Sequence, residues 1–210
     1  NLYPDPDLVM TNGVYSHLIQ YGFRRSGNSC YRPHCQACNA CVPVRINIDS
    51  SKVSRSQRRC LKRNQHLTIT HHPAEFNLEH YSLYCRYLKT RHANAGMDNP
   101  TQKSYCDFLT SDWANTNFIQ FHDDSKLVGL AVTDYIDNAI SAFYTFFDPD
   151  YTQQSIGTYA ILEQINIARN HGLSYVYLGY WIENSQKMSY KQNFSGVEGY
   201  IDRQWQPLER

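Results

Sequence analysis

Long apolar runs and a secretory leader are both missing from this 210-residue sequence. No stretch of 18 apolar residues occurs, so we expect no membrane-spanning helix. No signal peptide opens the chain, although Asn1 is not an initiator residue, so we expect natural sequence before it. Internal repeats and low-complexity segments are absent too, and the chain is long enough to bury a real hydrophobic core.

Acidic residues are scarce in the first third of the chain. Residues 1–72 contain no glutamate and three aspartates, against ten lysines and arginines, which is a net charge of +7. Residues 73–210 carry ten basic and sixteen acidic residues, which is a net charge of −6. This asymmetry predicts two domains, a basic module at 1–72 that binds a polyanion and a domain at 73–210 that performs chemistry.

Seven cysteines are present, an odd number that favours a reducing cytoplasm over a disulfide framework. Three of them, Cys35, Cys38 and Cys41, form a CxxCxxC run whose thiolates are close enough to share a zinc ion or an iron–sulfur cluster. A closed site needs a fourth ligand, for which His34, Cys30 or a cysteine upstream of the first residue are candidates. The alternative is three small buried cysteines under a loop.

Two basic segments have the composition of a nucleic-acid contact. The loop GFRRSG places Arg24 and Arg25 between two glycines, a common way to present guanidinium groups to phosphate. A helix is predicted from Ser54 to Asn64, and no acid occurs in it. Four of its arginines are candidate tRNA-binding residues: Arg55, Arg58, Arg59 and Arg63. Solvated surface charge is the alternative for both segments.

A strand–helix–strand pattern organises the second domain. Ala139–Phe147 alternates and is rich in aromatic residues, Tyr159–Asn170 has an apolar helical face, and Ser174–Gly179 alternates again. Such a βαβ unit has parallel strands joined by a right-handed crossover, with the helix packed across them. Because ligands in these units bind at the carboxyl ends of the strands, we expect the active site there.

Helices over Asn77–His92 and Thr101–Asp112 and strands over Thr116–His122 and Lys126–Tyr135 complete an αα-βββ-α-β order. This order resembles the GNAT acyltransferases. We therefore expect an α+β fold, in which a small basic cysteine-containing module precedes a GNAT-like acyltransferase domain with a mixed sheet. GNAT acetyltransferases hold the coenzyme A pyrophosphate in a Gly-rich turn with a basic residue. The equivalent segment here, Tyr151–Thr158, has one glycine and no lysine or arginine.

Several long motifs together resemble a single enzyme family. They are GFRRSG, YRPHCQACNACVPVRI, SRSQRRCLKRN, AVTD, SAFYTFFDPD, SIGTYAI and YLGYWIENSQKMSYK. They are similar to the aminoacyl-tRNA–protein transferases of the N-degron pathway, and more narrowly to the bacterial aspartate/glutamate leucyltransferases, relatives of eukaryotic arginyltransferases. Family members usually begin with a cysteine-containing segment that would precede Asn1 and supply the fourth thiolate.

The resemblance implies an aminoacyltransferase that moves an amino acid, leucine in this branch, from its tRNA to acceptor proteins. The acceptors begin with Asp or Glu and are thereby marked for degradation. Leucyl-tRNA and these acceptor proteins are the implied partners, and the chemistry requires no cofactor.

The resemblance also implies which residues act. Four match the motif GYW…KMSYK: Tyr180, Lys187, Tyr190 and Lys191. Lys187 and Lys191 would share a helical face, and one of them would pair with the acidic side chain of the acceptor. Tyr144 and Tyr180 would donate to the oxyanion or the terminal ribose, and Asp134 would accept an α-ammonium group. The alternatives are strand tyrosines with satisfied hydroxyls and a solvated lysine pair.

Three other functions stay open on the sequence. One is the same reaction with arginine as the donated residue. The second is an acetyl-CoA-dependent GNAT N-acetyltransferase, which the missing pyrophosphate turn disfavours. The third is a non-enzymatic RNA-binding protein with a zinc-knuckle-like module, which explains residues 22–64 but gives no purpose to the polar and aromatic residues of 134–191.

Overall fold

A computed structural model describes residues 1–91 and 99–208 of the chain. The strands are β1 (Arg24–Ser26), β2 (Ser29–Tyr31), β3 (Val42–Asn47), β4 (Thr68–Pro73), β5 (Thr116–Asp123), β6 (Lys126–Ile136), β7 (Ala139–Phe147), β8 (Tyr175–Trp181), β9 (Val197–Ile201) and β10 (Gln204–Pro207). The α-helices are α1 (Asn12–Leu18), α2 (Arg55–Asn64), α3 (Leu78–Arg91), α4 (Gln102–Leu109) and α5 (Ile156–Asn170). Within the described ranges, no helix is long and apolar enough to cross a membrane.

Eight strands form one mixed sheet in the order β10-β9-β3-β8-β7-β6-β5-β4. The meander β5-β6-β7 is antiparallel, and β7 pairs with β8 in parallel across α5. The predicted αα-βββ-α-β order, the parallel pair and the helix packed across it are therefore confirmed, and the fold is α+β. α3 matches its predicted range up to Arg91, and the predicted last residue, His92, lies outside the described residues.

Alternating side chains give the sheet two apolar faces. On β5, Ile119 and Phe121 pack in the core cluster that contains α5, while Phe118 packs in the cluster that contains α3 and α4. α2 packs against α5 through its buried residues Gln57 and Cys60. The sheet is thus covered on both faces, and its strand ends carry the polar groups.

The two predicted domains share this sheet. β3, from the basic part, lies between β8 and β9 and is hydrogen bonded to both. β4 begins in the basic part, ends at Pro73 just beyond the predicted boundary, and pairs with β5 at the edge of the sheet. The boundary near residue 72 stays a prediction about domain organisation, since the strands on its two sides belong to one sheet.

A buried ion pair attaches the β1–β2 hairpin to the sheet. Arg25 donates from Nε to Asp134 Oδ2 over 2.8 Å and from Nη2 to Asp134 Oδ1 over 2.7 Å, and both side chains are 0% exposed. Thr116 Oγ1 donates to the same carboxylate over 2.8 Å. The guanidinium and the carboxylate thus form a bidentate ion pair. Because a charge buried this deeply is strongly destabilising without a partner, the pairing is important for stability.

We expect Asp134→Asn to lower the free energy of unfolding by about 3–5 kcal/mol, because it leaves the Arg25 guanidinium buried without its counter-charge. Urea denaturation measures the loss. Asp107→Asn is the matched control: it breaks the exposed Lys103–Asp107 pair and should cost about 0.5 kcal/mol or less. Equal losses for the two variants would contradict this account of the hairpin.

Candidate active site

β7 and β8 separate and form a cleft. Their parallel pairing covers Ala139 to Ser141 on β7 and Tyr175 to Tyr177 on β8, and β8 then continues against β3 alone as far as Trp181. The cleft begins beyond these pairs, toward the carboxyl ends of both strands, where the active site was expected.

The side chain of Arg24 fills this cleft. Its Nη2 donates to Phe143 O over 3.4 Å, and its guanidinium lies 5.7 Å from the ring centre of Phe143 and 5.8 Å from that of Tyr180. Gly179 lies directly below it, at φ 75°, and a Cβ there would approach Arg24 Nη1 to 3.1 Å. The positive φ favours glycine at this position, and a side chain there would also push the Arg24 guanidinium aside.

Lys191 lies beside Arg24. It belongs to the 3₁₀ helix Ser189–Asn193, is 6% exposed, and donates from Nζ to the backbone carbonyl of Tyr180. Burial, and secondarily the nearby charge of Arg24, lowers the pKa of Lys191 to about 7. A lysine with this pKa exchanges its proton near neutral pH.

In the part of the chain that the structure describes, the Arg24–Lys191 pair has no acidic partner. Among residues 1–91 and 99–208, no carboxylate lies within ion-pair distance of either side chain. Two neighbouring cations at a partly closed site are costly to hold without a counter-charge, so the arrangement suits an anionic ligand group.

One predicted tyrosine, Tyr190, lies beside this pair, with its ring centre 6.0 Å from Lys191 Nζ, and a second, Tyr144, lies near Tyr87. Tyr144 is on β7 next to Phe143, and its hydroxyl is buried with no hydrogen-bond partner among the described residues. The ring centre of Tyr87 on α3 lies 6.5 Å from that of Tyr144. Burial, and secondarily the proximity of Tyr87, raises the pKa of Tyr190 to about 12. Tyr190 and Lys191 thus lie beside Arg24, and Tyr144 is connected to them through the Tyr87 ring.

The structure corrects three of the expected roles. Asp134 and Arg25 are both fully buried in their mutual ion pair, so Asp134 is not free for an α-ammonium group, and Arg25 is not free for phosphate. Tyr180 uses its hydroxyl within the fold, where it contacts Gly22 O at 2.9 Å and Tyr31 O at 3.2 Å. Its single proton is committed to these carbonyls, which disfavours the oxyanion-donor role.

Lys187 does not share a face with Lys191. It is exposed in the turn before the 3₁₀ helix, whereas Lys191 is buried. The prediction assumed one α-helical turn through both residues, but Lys187 precedes the 3₁₀ helix that contains Lys191, so no common helix aligns the two side chains. The buried lysine is the one that joins the cleft.

The cysteine cluster does not form a metal site in the described part of the chain. Cys35 and Cys38 are exposed, whereas Cys41 is half-buried, and all three are free. Burial, and secondarily the proximity of Cys35 and Cys38, raises the pKa of the Cys41 thiol. Within residues 1–91 and 99–208, no three His, Cys, Asp or Glu side chains are arranged to hold a metal ion, so the predicted zinc or iron–sulfur site is not supported.

The basic helix α2 presents its arginines to solvent. Arg55, Arg58, Arg59 and Arg63 are all exposed. Ser54 caps the helix with a complete capping box, because its Oγ accepts from Gln57 N while the Gln57 side chain accepts from Ser54 N. The buried side of α2 faces α5, so the arginines lie on the outer surface.

The turn before α5 is acidic rather than basic. Asp148 is 0% exposed and forms ion pairs with Arg86 and, over 2.8 Å, with Lys126. Burial alone would raise the pKa of Asp148, but the hydrogen bonds from Lys126, Asp150 N and Arg86 hold it below its usual value. The turn is also hydrogen bonded to α2, since Asn64 Nδ2 donates to Gln154 O over 2.8 Å.

Two family models match the chain, those of the arginine-tRNA-protein transferase C terminus over residues 79–201 and N terminus over residues 2–59. The first alone covers more than half of the chain. The chain belongs to the arginine-tRNA-protein transferase family. Arg24 lies in the N-terminal match and Lys191 in the C-terminal match, so the cleft joins residues of both regions.

Curated relatives cover almost the whole chain. An aspartate/glutamate leucyltransferase of Nitrosococcus oceani is 46% identical over 100% of this chain and 88% of the relative. One of Saccharophagus degradans is 44% identical over 96% of this chain and 86% of the relative. These similarities confirm the family that the motifs indicated.

A solved structure shares the fold at low sequence identity. It is the C-terminal domain of a protein described as a lysylphosphatidylglycerol synthetase from Agrobacterium fabrum, with a TM-score of 0.53 and 12% identity. The match covers 80% of this chain and 51% of that chain. At this identity, it supports the fold alone.

Proposed function

We propose that this protein is an aminoacyltransferase that moves leucine from leucyl-tRNA to the N-terminal Asp or Glu of acceptor proteins, which marks them for degradation. The observation that carries the proposal is the Arg24–Lys191 pair, which has no carboxylate partner in the described residues, in the cleft of a chain about 45% identical to aspartate/glutamate leucyltransferases. An acidic N-terminal residue brings a carboxylate to these cations. Since charged tRNAs are present in the cytoplasm, we place the reaction there.

The reaction requires the protein mainly to position the two substrates and to transfer protons. The aminoacyl ester of the tRNA is already activated, so bringing the acceptor amine to its carbonyl carbon supplies much of the rate. A donor is needed for the oxyanion that develops on that carbonyl. Tyr144 is our candidate, because its buried hydroxyl has no partner among the described residues.

The exposed arginines of α2 are the proposed tRNA surface. They lie on the outer side of the helix, and no ion pair to a carboxylate neutralises them within the described ranges. Arg63 also donates to the carbonyl of Gln153, which ties this surface to the turn before α5. A nucleic-acid backbone bound there would lie against the helix that crosses β7 and β8.

Acetyl-CoA is a poorer substrate for this site. Its pyrophosphate would meet a turn that contains Asp148 and Asp150, and the cations Arg86 and Lys126 beside these acids already pair with Asp148. Arginine as the donated residue is the closer alternative, since the matching family models bear that name. The leucyl assignment rests on the names of the relatives.

Transfer of labelled amino acids from charged tRNAs to peptides tests the function. We expect leucine to appear on peptides that begin with Asp or Glu and not on those that begin with Ala, because only the former neutralise the cleft cations. Parallel reactions with arginyl-tRNA and with acetyl-CoA should give no product. Arginine transfer, or acetylation without tRNA, would contradict the proposed reaction.

Charge removal on α2 should weaken tRNA binding. We expect Arg55→Gln and Arg59→Gln each to lower the affinity and to reduce the slope of log K against log salt by about 0.7–0.9 for each phosphate interaction removed. Filter binding across a salt series measures both quantities. Lys103→Gln, an exposed change on α4, is the control, and an equal effect there would contradict a specific surface on α2.

A further inference from the structure

Lys191 is a buried ammonium group with unusual surroundings. Its side chain is 6% exposed, and the carbonyl of Tyr180 is the acceptor that fixes its Nζ. The groups that face it are Arg24 from β1, Tyr180 from β8, its neighbour Tyr190 and, behind Tyr190, Tyr87 from α3. The charged group among them is another cation, so the free protein stabilises the neutral amine of Lys191 more than an ordinary lysine site does.

An acceptor with an acidic first residue reverses this preference of Lys191 for the neutral form. Its side-chain carboxylate, placed between Arg24 and Lys191, supplies the negative charge that the free cleft lacks in the described residues. The carboxylate therefore raises the proton affinity of Lys191 at the moment when the acceptor's α-ammonium group arrives. That ammonium group has a reference pKa of about 8 and must lose a proton before it can attack an ester.

We propose that Lys191 is the general base of the transfer reaction, and that the acceptor's own acidic side chain enables it to take the proton from the α-ammonium group. This inference rests on the proposed function. It assigns Arg24 to the acceptor carboxylate rather than to tRNA phosphate. Selection of Asp and Glu then acts on the chemical step as well as on binding.

The protons and bonds balance. One proton passes from the α-ammonium group to Lys191 Nζ, and the free amine forms a C–N bond to the leucyl carbonyl carbon. The ester C–O bond breaks, and the ribose oxygen leaves with the second proton of the amine. The third stays on the new amide, and Lys191 returns its proton to solvent when the product carboxylate departs.

A merely structural role for Lys191 makes a different prediction. If the lysine only fixes the 189–193 segment to Tyr180 O, any side chain that keeps this contact keeps the activity. Lys191→Arg separates the two roles, because arginine donates to the carbonyl and attracts the carboxylate but does not give up its proton in proteins. Lys191→Met removes both the contact and the charge, and similar volume favours folding.

The test is the pH profile of kcat/KM for leucine transfer to peptides that differ only in beginning with Asp or Asn. For wild type and Asp, we expect kcat/KM to rise through about pH 7 and to level off above about pH 8, where the acceptor amine arrives already deprotonated and needs no base. Lys191→Arg should lower kcat/KM about 10-fold at pH 7, where about a tenth of the acceptor amine is already deprotonated, and its profile should rise only through about pH 8.

Arg24→Gln should affect acceptor binding rather than the chemical step. We expect a rise in KM of about 10-fold for the Asp peptide and less than 3-fold for the Asn peptide, because only the former loses a charge-assisted bond. Lys89→Met, at an exposed position of α3, is the matched lysine control and should resemble wild type. Retained tRNA binding by each variant shows that it is folded.

The outcomes separate the two proposals. If wild type transfers no amino acid to any acidic peptide, the proposed function is wrong. If wild type transfers leucine and Lys191→Arg does so at a similar kcat/KM with the same pH profile, the general-base assignment is wrong. If Arg24→Gln affects Asp and Asn peptides equally, or weakens tRNA binding instead, the carboxylate assignment of Arg24 is wrong.

Discussion

The buried ion pair between Arg25 and Asp134 is the interaction on which the site depends. It fixes the β1–β2 hairpin against β6, and the Arg25 guanidinium also lies 4.0 Å from the ring centre of Phe143. Successive residues of a strand point to opposite sides, so anchoring Arg25 directs Arg24 the other way, into the cleft. The Tyr180 hydroxyl holds the far ends of the same hairpin through Gly22 O and Tyr31 O.

Two cations can occupy the cleft together because they differ in chemistry. Arginine keeps its charge in proteins, whereas a buried lysine relieves repulsion by releasing its proton. Arg24 therefore supplies a constant positive charge, and Lys191 supplies a site whose protonation depends on what is bound. An acidic residue would change that protonation, while an amide or an alanine would not, which links recognition to reactivity in the proposed reaction.

Regular periodic segments were predictable from sequence, while long-range pairings were not. The meander, α5 and the parallel β8 follow from alternation, helical spacing and short turns. The sequence analysis treated GFRRSG as a phosphate-binding loop, since nothing local reveals that Arg25 meets Asp134, more than one hundred residues away. It also missed β9 and β10, which are short, and it assumed an α-helical turn around Lys191. One signal in the sequence could have revealed the different roles of Arg24 and Arg25. If the two adjacent residues lie on a strand, their side chains point to opposite sides, so one can be buried while the other faces the cleft.

The most direct test of the central claim is the ionisation of Lys191 itself, followed by NMR of a protein with ¹³C-labelled lysine side chains and assigned by Lys191→Arg. We expect a pKa of about 7 in the free protein, and a rise of at least one unit when a non-reactive peptide with N-terminal Asp and a blocked α-amine binds. The matching Asn peptide should leave the pKa nearly unchanged. An ordinary lysine pKa in the free protein, or the same shift with both peptides, would contradict the account.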